Sequence, residues 1–146
     1  MDTTKKTNST REKISVENTI KAPVEKVWKL WNTPEDIKKW CCASEDWHVP
    51  NAENDIRKGG TFVTRMEAKD GSFGFDFKGV YDDVKTNELI AYTMVDGRTA
   101  TITFTGKGNE TKVTETFEAE SENPIDMQRS GWQSILDNFK KYVEKN

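Results

Sequence analysis

A glutamate set into an apolar row is the residue of this sequence best placed to do chemistry. In "KVTETFE", residues 112–118, Glu115 alternates with Val113 and Phe117, so a strand turns all three to one face. A carboxylate held there without a partner is costly to desolvate. Its pKa then rises toward the range of a general base, and it can anchor a polar group of a ligand. Placement at a sheet rim, or pairing with a lysine or arginine, leaves it an ordinary glutamate. Both readings stay open.

Cys41, Cys42 and His48 form the second reactive set. Thiolates and imidazole ligate zinc, and a thiol beside a base can be a nucleophile. Structural zinc, however, takes four ligands in paired short spacings, and no second CxxC or HxxxH accompanies these three. No motif of a cysteine nucleophile surrounds them either, so loop residues and no metal are expected. Gly59-Gly60 and "GKGN" lack the GxxxxGK[ST] pattern, which leaves no phosphate cradle and no expected cofactor. Two adjacent cysteines without a third exclude a disulfide framework and point to reduced thiols.

The elements that position these groups follow from periodicity. "ISVENTI" alternates as a strand and ends at Ala22-Pro23. Val24, Val27, Trp28 and Trp31 then recur at the i, i+3, i+4, i+7 spacing of one helical face. Thr33-Pro34-Glu35-Asp36 reads as a cap, a proline first turn and two carboxylates at the positive end of a second short helix, whose stripe is Ile37, Trp40 and Cys41. Aromatic residues at this spacing usually fill a core, and contact with a ligand does not exclude that. Residues 42 to 60 read as an irregular polar flap with Trp47, Val49 and Ile56 as anchors.

Five strand candidates follow: "TFVTRMEA", "SFGFDFKGVYDDV", "ELIAYTMV", "TATITFTG" and "TKVTETFEAE", with hairpin signals at Asp70-Gly71 and Asp96-Gly97. Parity puts Phe73, Phe75, Phe77, Gly79 and Tyr81 on one side. Last, Asn123-Pro124-Ile125-Asp126 reads as a cap opening a helix to about residue 144, with Trp132, Ile135, Leu136, Phe139 and Val143 as its stripe. An antiparallel sheet with one apolar face must cover that face, and only the last helix is long enough. The expected fold is therefore α+β: a curved antiparallel sheet wrapped around a long C-terminal helix, with two short helices after the first strand.

The chain has 146 residues, a single-domain length. Residues 1 to 12 show no apolar periodicity and read as a disordered tail, leaving 13 to 146 as the folded domain. A net charge of -3, a pI near 5.3 and no basic run argue against nucleic acid as a partner. Mean hydropathy is -0.84, no apolar run approaches the roughly 18 residues of a membrane span, and "MDTTKKTNSTREK" lacks the apolar segment of a secretory signal. A cytoplasmic location is expected.

Five pieces together carry a resemblance: "IKAPVEKVWKLWNTPEDIKKW", "DIRKGGTF", "FKGVYDDVKTNELIAYT", "NETKVTETF" and "SGWQSILDNFKKYV". Their order and spacing, from about Ile14 to Val143, resemble the homologues of the heat-shock protein 90 ATPase activator. That family is a branch of the START-like helix-grip superfamily, which also holds polyketide cyclases and lipid-transfer domains. The resemblance implies a helix-grip fold with a cavity between sheet and C-terminal helix, opening near the 41 to 60 flap. Members mostly bind apolar small molecules there, and a minority are enzymes.

Combined with strand parity, the resemblance implies a ligand-binding set of Trp28, Phe62, Met66, Phe75, Phe77, Tyr81, Tyr92, Phe104, Glu115, Phe117, Gln128, Gly131, Trp132 and Ile135. Gln128 and Tyr81 or Tyr92 can orient a ligand there, or be satisfied tips of core side chains. The eukaryotic co-chaperones resembled carry an additional N-terminal domain that makes much of the chaperone contact, and residues 1 to 12 are too short to replace it. Most inward positions are apolar and no catalytic set is apparent. The expectation is thus a binding module for a lipid or polyketide-like molecule, acting as a monomer or weak dimer. A cyclase or hydrolase using a cavity carboxylate, and a module docking on a chaperone, are the alternatives.

Overall fold

The computed structural model describes residues 11–42 and 44–146; the greater part of the expected tail lies outside the described residues. Strand β1 (Lys13–Ile20) leads into helices α1 (Val24–Asn32) and α2 (Pro34–Trp40). Strands β2 (Trp47–Asn54), β3 (Thr61–Ala68), β4 (Gly74–Lys85), β5 (Leu89–Met94), β6 (Thr99–Lys107) and β7 (Glu110–Glu118) follow, then helix α3 (Ile125–Lys145). All pairings are antiparallel, and the sheet runs β1-β7-β6-β5-β4-β3-β2. The expected helix-grip architecture is present: α3 packs along edge strand β1, α2 along edge strand β2, and the sheet curls between them.

The flap expected over residues 42 to 60 is in good part a strand. β2 was hidden because Pro50 and a register shift between His48 and Asn51 break its alternation, so only Val49 is buried among exposed neighbours. Proline, which cannot donate to a ladder, is tolerated here because β2 is an edge.

Two hairpin turns have the backbone their glycines predict, with φ of +78° at Gly71 and +91° at Gly97. The preceding aspartates brace them by accepting backbone N–H bonds from Ser72 (2.8 Å) and Arg98 (3.1 Å). The two expected caps behave otherwise. The Thr33 hydroxyl donates back to the Lys29 carbonyl at 2.7 Å. The Asn123 amide donates to the Glu120 carboxylate at 2.6 Å, and α3 begins at Ile125 with no side-chain cap. In both places the following proline already fixes the first turn, so the preceding side chain is released for another partner.

Ile14, Ile20, Val27, Val113, Leu136, Phe139 and Val143 are fully buried and form the solid part of the core. Trp31, Trp40 and Phe139 close on one another with ring centroids 4.7–4.9 Å apart, an aromatic cluster worth about 0.5–1.5 kcal/mol per pair beyond burial. Polar contacts fix α3 to β1: Asn18 donates to Asp137 at 2.8 Å, and Lys140 donates to the Thr19 carbonyl at 2.8 Å. Of the face expected along β4, Gly79 and Tyr81 are buried, whereas Phe75 and Phe73, the latter just before the strand, lie against Trp47 and are 40% and 61% exposed.

Candidate functional site

Between the β3–β5 part of the sheet and the N-terminal half of α3 lies a cavity of about 350 Å³. Its sheet wall follows from period two: Phe62, Thr64 and Met66 on β3, Phe75, Phe77 and Tyr81 on β4, Ile90 and Tyr92 on β5, and Glu115 on β7. The opposite wall comes from helical faces: Trp31 and Asn32 on α1, Ile37 and Trp40 on α2 with Cys41 at its end, and Gln128, Trp132 and Ile135 on α3. Glu53, Asn54, Arg98 and Glu120 complete the rim. An outer recess of about 310 Å³ shares Met66, Phe75, Gln128 and Trp132 with it and leads out past Trp47, His48, Met127 and Gly131.

The rings hold one another rather than filling the space. Phe62 lies 5.5 Å from Phe77, 5.2 Å from Tyr81 and 4.8 Å from Tyr92. Trp132 stacks on the buried Phe117 at 3.8 Å with planes 9° apart, so one face of the indole is spent on the sheet. Gly79 allows this packing, because a Cβ there would meet the Thr93 carbonyl oxygen at 2.6 Å and the Phe62 ring at 3.1 Å.

Polar groups around the cavity fall into two kinds. Those already committed include Tyr81, whose hydroxyl donates to Asn54, whose amide in turn donates to the Asn32 carbonyl at 2.8 Å. Gln128 is committed as well: its oxygen accepts from the Glu120 N–H at 3.0 Å, and its amide donates to the Asn123 carbonyl at 2.8 Å and the Glu120 carbonyl at 3.1 Å. Its role is to hold the loop before α3. Arg98 is turned to Asp96 at 2.7 Å and the Glu118 carbonyl at 3.3 Å.

The uncommitted carboxyl of the interior is Glu115. It is 6% exposed, sits between the fully buried Val113 and Phe117, and opens onto the cavity. Among the described residues its carboxyl meets no hydrogen-bond donor and no cation, and burial alone pushes its pKa up to about 8. It is therefore chiefly protonated at neutral pH. Burial and the nearby Glu115 push Cys41 up to about 12 and Tyr92 well above the ordinary tyrosine range. Near pH 7 the interior thus offers neutral hydrogen-bonding groups on an aromatic wall.

Of the residues expected to contact a ligand, Phe62, Met66, Phe75, Phe77, Tyr81, Tyr92, Glu115, Gln128, Trp132 and Ile135 are brought together at the cavity. Gly131 lines the outer recess. Trp28, Phe104 and Phe117 lie behind the wall: Trp28 meets Phe104 edge-on at 5.2 Å, and Phe117 supports Trp132. Thr64 and Ile90 were missed although parity with Phe62 and Tyr92 marks them. Trp31 and Trp40 serve core and cavity at once. Asn32, Asn54, Glu53, Arg98 and Glu120 carry no sequence signal, since loop and edge geometry brings them in. Among the described residues no cluster of potential metal ligands occurs, and no helix is long and apolar enough to cross a membrane.

The model of the family described as Activator of Hsp90 ATPase homolog 1-like protein matches residues 21–144. The solution structure of the AHSA1-like protein from Aeromonas hydrophila is similar at 44% identity with a TM-score of 0.86, covering 92% of this chain and 93% of that one. A Cytophaga hutchinsonii protein shares 58% identity with a TM-score of 0.80 over the same proportions. A Chromobacterium violaceum protein, at 24% identity and a TM-score of 0.82 over 92% of this chain and 99% of that one, shares the fold. No curated protein matches.

Proposed function

Because the chain belongs to the Activator of Hsp90 ATPase homolog 1-like protein family, whose fold is compatible with ligand binding, we propose that it binds an apolar or aromatic small molecule between the sheet and α3. The observation that carries this reading is the cavity itself. Its volume, about 350 Å³, is within the range of small-molecule sites, and eight aromatic side chains with Ile37, Met66, Ile90 and Ile135 give it an apolar wall beside several polar groups. Rings that brace one another keep the space open, so a guest enters a preformed site and little ordering cost is added.

A guest of ~20 heavy atoms at ~0.3 kcal/mol each binds with about -6 kcal/mol, a dissociation constant in the tens of micromolar. At roughly 100 times that concentration the fold gains ~2.7 kcal/mol and the melting temperature rises by several degrees. Trp31, Trp40 and Trp132 line the site, so tryptophan emission should change with the same saturation curve. The test is a thermal and fluorescence titration with neutral aromatic, lipid and polyketide-like compounds, repeated on Thr64→Phe. Filling the cavity from β3 should abolish the response. A flat melting temperature and constant emission across the whole panel overturn the proposal.

A further inference from the structure

We propose that the guest carries a basic nitrogen: an aromatic amine whose ammonium group pairs with Glu115 while its rings lie against the tryptophans of the cavity. This rests on the small-molecule reading above and narrows it to a chemical class.

Three observations converge. First, Glu115 is a buried carboxyl aimed into the cavity, with no donor or cation beside it among the described residues. A buried acid is normally paired, so the missing partner is expected from the guest. Second, the lining beyond Glu115 is itself unbalanced in charge: Glu53 and Glu120 at the rim face one cation, Arg98, whose guanidinium is turned to Asp96 and the Glu118 carbonyl. Third, Trp31, Trp40, Tyr92 and Trp132 surround the same space, and the faces of such rings attract a cation while their area binds an apolar body.

Apart from Arg98, the elements around the cavity bring no competing cation to its lining among the described residues, and β3 contributes only the uncharged Phe62, Thr64 and Met66. Cys41 at the end of α2, Tyr81 on β4 and Tyr92 on β5 are held neutral near pH 7 by burial. Glu53 on β2 and Glu120 before α3 add negative potential. The lining positions of α1 and α3, namely Trp31, Asn32, Gln128, Trp132 and Ile135, carry no charge. The binding step balances as a proton exchange. An amine arriving as R–NH3+ meets the Glu115 carboxyl, the carboxyl proton leaves to solvent, and a carboxylate–ammonium pair remains. Near pH 7 about one proton is therefore released per amine bound.

Three isosteric probes test this: 2-(1-naphthyl)ethylamine, 2-(1-naphthyl)ethanol and 1-naphthylacetate, titrated by calorimetry at pH 7 in two buffers of different ionisation enthalpy. The amine should bind at least tenfold tighter than the alcohol and release about one proton, and the acetate should bind weakest. In Glu115→Gln, amine and alcohol should bind alike, with no proton released. The proton count on the unaltered chain does not depend on that variant folding. If the alcohol binds as tightly as the amine, the acetate binds best, or Glu115→Gln keeps the preference, the amine assignment falls while the cavity reading stands. If none of the three binds, the amine assignment falls, and the cavity reading falls with it only when the whole panel above also leaves melting temperature and tryptophan emission unchanged.

Discussion

The two halves of α3 meet one curved sheet with opposite results. From Leu136 onward its inward residues Leu136, Phe139 and Val143 are fully buried, sealed by Trp31 and Trp40 and fixed to β1 by Asn18 and Lys140. Before Leu136, residues Gln128, Trp132 and Ile135 line open space, and a Cβ built on Gly131 meets nothing within 4 Å. Aliphatic side chains and the aromatic cluster close the first half. Planar rings that brace one another, Phe62 edge to face with Tyr92 and tilted against Phe77 and Tyr81, keep the second half from collapsing. A cavity in this fold is thus made by what supports its walls rather than by a missing side chain.

The largest effect should separate the halves directly. Phe139→Ala removes a fully buried ring from the solid half and should cost about 4 kcal/mol in urea denaturation. Phe77→Ala removes a half-buried ring already facing space and should cost roughly 1–2 kcal/mol. Equal losses would mean that the two halves are packed alike.

Next in size is the pH dependence that Glu115 imposes on the open half. Its folded pKa of about 8 lies above the ordinary glutamate value of 4.5, so the folded state holds a proton that the unfolded state releases. The stabilising difference is complete below pH 4.5 and is lost as pH rises toward 8, by roughly 3 kcal/mol between pH 5 and 8. Urea midpoints at those two pH values should show the decline, and Glu115→Gln should flatten it. An unaltered slope in the variant would place the titrating group elsewhere.

The same contrast governs what could be read from sequence. The strands β3 to β7, both short helices and α3 all follow from periods of 2 and 3.6, because each buries one continuous face. β2 does not, since Pro50 and its register shift interrupt the pattern at an edge that has one neighbour only. In the site, residues on regular elements were legible by parity, Glu115 above all. Parity also selected Trp28, Phe104 and Phe117, which lie behind the wall, because it gives the face of an element and not the depth beneath it. The chain Tyr81–Asn54–Asn32 joins three separate elements, and no local spacing encodes it.

A smaller effect tests how tightly the floor of the open half is built. Gly79→Ala would press a methyl group onto the Thr93 carbonyl oxygen and the Phe62 ring, at 2.6 and 3.1 Å in the present geometry. Such overpacking should cost about 2 kcal/mol in thermal unfolding and displace Phe62, visible as weakened binding of any aromatic guest. A variant as stable as the parent would mean that the ring shifts freely and the floor is soft.

The smallest effect is of opposite sign. Gly131 lies inside α3 without a left-handed backbone, so its glycine character adds unfolded-state entropy and no conformational benefit to the helix. An added methyl group enters open space at the outer recess, where it displaces nothing. Gly131→Ala should therefore raise stability by about 0.5–1 kcal/mol, read as a melting point higher by a few degrees. Were this face of α3 packed as the Leu136 face is, the same methyl group would collide with a neighbour and the melting point would fall, so the sign of the shift alone decides whether the helix stands off the sheet at this turn.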